Sequence, residues 1–408
     1  MTTTSRVEDL LGRDAIAAVR RPIERARGLP ASAYTAPEFF KLEQQGLFPK
    51  LWVAAAFTSD LPDVGDAMPV TIAGVPLILA RDRDGAIKAF HNVCRHRAAL
   101  VLTAPAKGLN QFQCPYHAWT WTLGGALRAT PYFDGTKAAK DSPIVWEENG
   151  LMPVRVGVRH PLIFVNLDGR APPLEDSLAP FEQHVVGNLD FAGLRFGNVF
   201  DWEFAANWKT VGDNWEIYHH TWVHANFFPR ISEDLDFETR QPKYRSHAEG
   251  MLLTLRRIGA PAKNMQPIDG MPPIPTVGGE LPSVHASTSY LIPNVIATLH
   301  AEHLHLAIVE PLSAERTRLR LAFFFVGDAA TAPRYAAERE AVIDRRIGKS
   351  RDPRAQDGIR NQDIAIWEGQ QIARGSPVAD DVKFSATWES NIHYFQNLIL
   401  DVLQQPAS

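Results

Sequence analysis

Apolar and polar residues follow three textures along the chain, and each predicts a different kind of element. Over residues 1–45, Val7, Leu10, Leu11, Ile16 and Val19 recur at helical spacing. Ala36-Pro37 then opens a second predicted helix over 37–45, since proline suits a first helical position. From Trp52 the runs shorten. Residues 70–72, 76–80 and 87–92 are alternating or apolar stretches parted by Gly65, Gly74 and the turn Asp84-Gly85, which predicts a small all-β unit of hairpins. A Gly-Gly hairpin over 122–129, a polar insertion over 130–150 and closing strands over 153–166 complete it. Residues 168–178, with Gly169, Pro172 and Pro173, mark a boundary. Beyond it the pattern predicts a helix over 178–189, a strand near 197–204 and a long helix over 207–224. Strands over 247–257, 287–310 and 318–326 suggest an antiparallel sheet. An exposed charged helix is expected over 334–346. A helix over 361–371 should turn Asp363, Ile366, Trp367 and Gln370 inward, and one over 391–403 should bury Ile392, Phe395, Leu398, Ile399 and Val402. The class is α+β: an all-β domain at 46–167, and a second domain from 1–45 with 168–408.

The chain has 408 residues and a formal charge of −4, so nothing in its charge points to nucleic acid or an anionic membrane surface. It holds no apolar run long enough to span a bilayer, and its N-terminus lacks an apolar signal core, which predicts a cytoplasmic, unprocessed protein. Only two cysteines are present, which fits a reducing compartment.

Those two cysteines carry the first chemical signal. Cys94-Arg95-His96 reads C-x-H, and Cys114-Pro115-Tyr116-His117 reads C-x-x-H. A Cys94–Cys114 disulfide or two core cysteines would leave both placed histidines unexplained. A zinc finger usually takes its cysteines from one loop and its histidines from another. Here each loop offers one of each, which suits a two-iron cluster with both sulfurs on one iron and both nitrogens on the other, the Rieske ligation.

The second signal is residues 207–224, NWKTVGDNWEIYHHTWVH. Glu216 and His219 lie one helical turn apart on one face. His224 stands about 140° round an ideal helix from His219, so the pair can share a metal only if the helix ends or is distorted between them. Two histidines and one carboxylate make the facial triad of non-haem Fe(II) oxygenases. Asp363 is the chosen third ligand, with helix capping as its alternative role. His220 competes with His219, and spacing favours His219.

The cluster stretch, with Arg97 and residues 116–121, resembles the Rieske oxygenases. So does the series Asn207-Trp208-Lys209, Glu216, Tyr218-His219, His224. The resemblance spans nearly the whole chain and implies a large (alpha) terminal oxygenase subunit of the aromatic-ring-hydroxylating family, with a Rieske domain and a helix-grip catalytic domain whose sheet wraps a long helix. It implies a 2Fe-2S cluster on Cys94, His96, Cys114 and His117, and a mononuclear Fe(II) on His219, His224 and Asp363 with dioxygen as cosubstrate. Glu216 would link that iron to the cluster of a neighbouring subunit, although the family more often has aspartate there. A homotrimer is implied, a small beta subunit being optional. The chain has no G-x-G-x-x-G, so electrons would come from a separate NAD(P)H reductase, with or without a ferredoxin. A Rieske electron carrier without oxygenase activity would leave the second motif idle.

For the substrate, an aromatic compound is the first expectation and oxidative demethylation of a quaternary ammonium or methoxy compound the alternative. Trp208, Trp215, Trp222, Phe227 and Phe228 are candidate cage residues. Arg230, Arg240, Arg256 and Arg257 are candidate partners for a substrate carboxylate. His303 and His305 share one face of a strand, which leaves pocket and surface both open. The Pro-rich residues 259–282 are read as a substrate-covering loop or plain surface.

Overall fold

The short apolar runs of the first half form three small antiparallel sheets. Val53–Phe57 pairs with Leu162–Asn166, which pairs with Arg155–Arg159. Ala67–Ile72, Val75–Arg81 and Ile87–His91 form a second sheet. The third is Phe112–Gln113, Thr120–Trp121 and Leu127–Ala129. The turn at Asp84-Gly85 works as its residue types dictate: Gly85 has φ +80°, and the Asp84 carboxylate accepts the Ala86 N–H at 2.9 Å. Gly125 has φ +87°, and a Cβ there would lie 2.4 Å from the Phe90 ring, so this hairpin needs glycine on both counts. Phe90, Phe112, Trp119 and Trp121 pack with Cys94 and Cys114 into one core.

This is a computed structural model, and it describes residues 3–137, 144–187, 189–216, 219–220, 222–224, 235–236, 241–242, 244–257, 268–275, 286–352 and 354–405. They divide into two compact units, Phe48–Leu174 and Met1–Leu47 with Glu175–Ser408. Among them no helix is long and apolar enough to cross a membrane.

The second unit is built on a seven-stranded antiparallel sheet. Its spatial order is Leu194–Phe204, Arg316–Val326, His303–Ser313, Val295–His300, Ala286–Leu291, Leu252–Arg257, Tyr244–Glu249. The C-terminal helix Ser390–Gln404 is gripped by it: Phe395 meets Tyr290 of the sheet at 5.9 Å, and the Asn391 amide donates to the Thr254 carbonyl. Helix Ile359–Ala373 lays Trp367 against Phe204 at 5.2 Å.

Three expectations change. The long helix over 207–224 is not there: a single turn, Lys209–Gly212, is followed by irregular turns. Tertiary bonds outcompete helix propensity. The Asp213 carboxylate takes hydrogen bonds from Tyr34 and Gln396, Asn214 donates to Asp363, and Lys209 is buried against Glu43 at 2.6 Å. The inward face of helix Ile359–Ala373 carries Arg360, Asp363, Ile364, Trp367 and Gln371, whereas Ile366 and Gln370 face out. Helix Ala336–Ile347 is not simply exposed, because Val342, Ile343 and Ile347 are buried. Of the Pro-rich stretch, residues 268–275 are described and bury Met271 and Ile274; the rest lies outside the described residues.

Candidate metal centres

In the smaller unit the two Cys/His loops are conformational twins. The Cys94 carbonyl accepts the Ala98 N–H and its own N–H donates to Ala99; Cys114 does the same with Ala118 and Trp119. Ala98 and Ala118 each have φ +56°. Each tight loop therefore aims a buried thiol and a following imidazole the same way. Cys94 and Cys114 are both buried and unoxidised. The rings of His96 and His117 lie 4.6 Å apart, and His96 stacks on Trp119 at 5.2 Å. Burial raises the Cys94 pKa and the neighbouring Cys114 adds to it. Burial lowers that of His96, with His117 and Arg97 acting in the same direction. A buried Cys94 thiol that resists ionising, a second buried thiol beside it and a His96 imidazole whose buried Nδ1 has no partner are groups that a cationic iron centre would satisfy.

In the larger unit, His220, His224 and Asp363 offer ligand atoms that all lie within 4.8 Å of one another. The His224 Nε2 lies 3.1 Å from Asp363 Oδ1, and the His220 Nε2 lies 3.7 Å from the same oxygen with no hydrogen-bond partner. The other ring nitrogens face fixed acceptors. His224 Nδ1 sits 2.7 Å from Gln362 Oε1, and His220 Nδ1 sits 2.8 Å from Glu216 Oε1. With each Nδ1–H so donated, both Nε2 lone pairs face the carboxylate, as in carboxylate–histidine–metal arrangements. Burial alone would raise the Asp363 pKa, but His224, Arg360 and His220 hold it well below the usual carboxylate range. Burial alone would lower the pKa of His220, yet the hydrogen bond and charge of Glu216 raise it. Two neutral-capable imidazoles and one permanent carboxylate fit a divalent iron.

His219 does not join this set. Its Nδ1 lies 3.3 Å from Glu389, and its ring stacks on Trp388 at 5.8 Å. The helical geometry that favoured His219 is lost once the chain leaves the helix after Gly212.

Residues 191–405, over half the chain, match the family described as the ring hydroxylating alpha subunit (catalytic domain), and residues 51–140 match the Rieske 2Fe-2S domain. The chain belongs to the Rieske ring-hydroxylating oxygenase family. It is a Rieske-type oxygenase, an enzyme with a Rieske cluster and a mononuclear iron that uses dioxygen, taking its electrons from a partner reductase and acting on a small molecule. The chloroplastic choline monooxygenase of Atriplex hortensis is 24% identical over 392 residues, covering 94% of this chain and 80% of that protein. The glycine betaine monooxygenase oxygenase subunit of Chromohalobacter salexigens is 28% identical over 433 residues, covering 99% and 92%. A crystal structure of a quaternary ammonium Rieske monooxygenase with γ-butyrobetaine superposes with a TM-score of 0.73 at 21% identity, covering 95% and 99%. That likeness speaks for the fold.

The oxygenase has a cavity beside the triad, walled by Trp215, Ile296, Val342, Ile359 and Trp367. Of the proposed cage, only Trp215 among the described residues reaches it. Trp208 is wholly buried with its N–H on Glu43, and Trp222 is 63% exposed. Phe227, Phe228, Arg230 and Arg240, and the side chains of Arg256 and Arg257, lie outside the described residues. His303 and His305 line the cavity, joined by His300. The sequence reading missed Arg345, Arg346 and Arg360, which also line it. A signal existed: Arg346 falls on the buried side of its helix, three and four residues from Ile343 and Val342, and Arg360 lies one turn before Asp363.

Proposed function

We propose that this oxygenase is a monooxygenase of a quaternary ammonium compound. The observation that carries this reading is the relatives: proteins named for choline and glycine betaine match it over nearly its whole length. The expectation of an aromatic substrate gives way accordingly. Trp215 supports the reading, because an indole face on the cavity wall can hold a trimethylammonium group.

In this reading Cys94, His96, Cys114 and His117 hold the cluster, within a Rieske domain close to residues 46–167. His220, His224 and Asp363 hold the iron. The bound iron supplies the dioxygen chemistry. Gln362 and Glu216 fix the two imidazoles, Asn214 holds the carboxylate, and the apolar walls exclude water from the reacting C–H bond. One oxygen atom enters that bond and the other leaves as water, with two electrons from the reductase and two protons. Hydroxylation of a carbon bonded to the cationic nitrogen would release a tertiary amine and a carbonyl product.

The electron source is an NAD(P)H reductase, with or without a ferredoxin, in the cytoplasm. The active form is a homotrimer in which Glu216 relays electrons from a neighbour's cluster. Its Oε1 holds His220 while its buried Oε2 has no partner, which leaves one oxygen for a second donor.

A substrate panel tests the reading. With reductase and NADH supplied, trimethylammonium compounds should drive oxygen uptake and release amine and carbonyl product in equal amounts. Uptake with benzoate or a methoxybenzoate alone would contradict it.

A further inference from the structure

The cavity beside the triad contains three guanidinium groups, Arg345, Arg346 and Arg360, against one carboxylate among its described lining residues, Asp363. Asp363 already faces His224 and His220. Arg360 is 1% exposed, and its Nε and Nη2 are buried without partners; the Nε of Arg346 is in the same position. The buried His305 Nε2 also lacks a partner. Native folds rarely leave so many buried donors unsatisfied in one place, and unpaired buried charge costs more than a neutral donor does. Burial, with Arg346 beside it, pushes the Arg360 pKa down to about 9, the sign of a charge with too little counter-charge. Burial lowers that of Arg346 too. His300 and His305 are held neutral by burial and by the neighbouring cations, so they add donors and no negative charge. A purely cationic ligand entering this cavity would meet repulsion and leave all these donors orphaned.

We propose that Arg346 and Arg360 form an anion subsite, and that the substrate carries a carboxylate or similar anion at the end away from the carbon that is oxygenated. The anion rests on these arginines alone. Its partnership with a trimethylammonium group, making the substrate a betaine-type zwitterion, rests on the reading given above. Arg346 comes from the helix before the triad helix and Arg360 from the triad helix itself, one turn before Asp363. The subsite therefore sets the distance between the anion and the iron, and so selects which carbon is presented. Guanidinium forks suit a carboxylate better than a lysine would.

The test is equilibrium binding to the anaerobic holoenzyme by calorimetry, using glycine betaine, its methyl ester, choline and benzoate. The unaltered enzyme should favour glycine betaine over the ester and choline by about 10- to 100-fold, the range for a buried charged hydrogen bond. Arg346→Gln and Arg360→Gln should erase that preference with iron and cluster content unchanged, and Arg360→Lys should restore part of it. Because the ester comparison uses the unaltered enzyme, a misfolded variant does not spoil the test. Choline or the ester binding as well as glycine betaine would overturn the anion subsite and leave the quaternary ammonium reading standing. Arginine-dependent binding of benzoate, with no trimethylammonium compound bound, would keep the subsite and overturn that reading.

Discussion

Replacing His220 with alanine should strip the mononuclear iron from the enzyme, whereas replacing His219 should leave it in place. The two residues are adjacent, and the difference rests on what each ring nitrogen meets. The Nδ1 of His220 is held by Glu216, which leaves Nε2 facing Asp363; the Nδ1 of His219 faces Glu389 while its ring stacks on Trp388. Losing a group that merely orients a metal ligand costs about 10- to 100-fold in affinity or activity, and losing the ligand should cost more than that. The His220→Ala enzyme should therefore show no substrate-dependent oxygen uptake and about one iron fewer per chain, with its cluster spectrum intact. The His219→Ala enzyme should keep its iron and most of its turnover. Iron analysis with acid-labile sulfide as the internal count separates the two sites. Iron lost from His219→Ala and retained in His220→Ala would reverse the assignment.

The second large effect is at the cluster. Cys114→Ser should abolish the cluster and with it all NADH-driven turnover, because a serine oxygen in that tight loop is a poor replacement for a thiolate on a two-iron centre. The mononuclear iron should survive, since His220, His224 and Asp363 all belong to the other compact unit. Loss of visible absorbance and of both sulfides, with one iron retained, is the expected outcome. A Cys114→Ser protein with an unchanged cluster spectrum would show that the loops do something else.

What could be read in advance divides along the range of the interactions. The Cys/His loops were legible because ligand spacing and tight-turn geometry are local, and hairpins such as the one at Asp84-Gly85 follow from the residues within them. Helices Pro37–Gly46 and Ser390–Gln404 lie close to where periodicity placed them. The segment after Asn207 was not legible. Its helical pattern yields to bonds between Asp213 and Tyr34, and between Asn214 and Asp363, whose partners lie far away in sequence. That single departure brings His220, and not His219, beside His224 and Asp363. Arg345 and Arg346 were missed for a related reason: a charged helix with alternating acids reads as solvated, and only packing shows that they, with Arg360 of the next helix, line the cavity. The arginines that the sequence did offer, Arg230, Arg240, Arg256 and Arg257, have side chains outside the described residues.

The most direct test of the account is an isotope measurement. The holoenzyme, a reductase, NADH and oxygen-18 gas would be combined with glycine betaine, and the dioxygen consumed, the labelled water, the amine and the carbonyl product quantified by mass spectrometry. Each turnover should consume one dioxygen and one NADH and form one tertiary amine and one carbonyl product, with the oxygen-18 recovered in water, because the aldehyde exchanges its oxygen with the solvent through its hydrate. Glycine betaine recovered unchanged, while an aromatic acid gains two labelled oxygens under the same conditions, would contradict it.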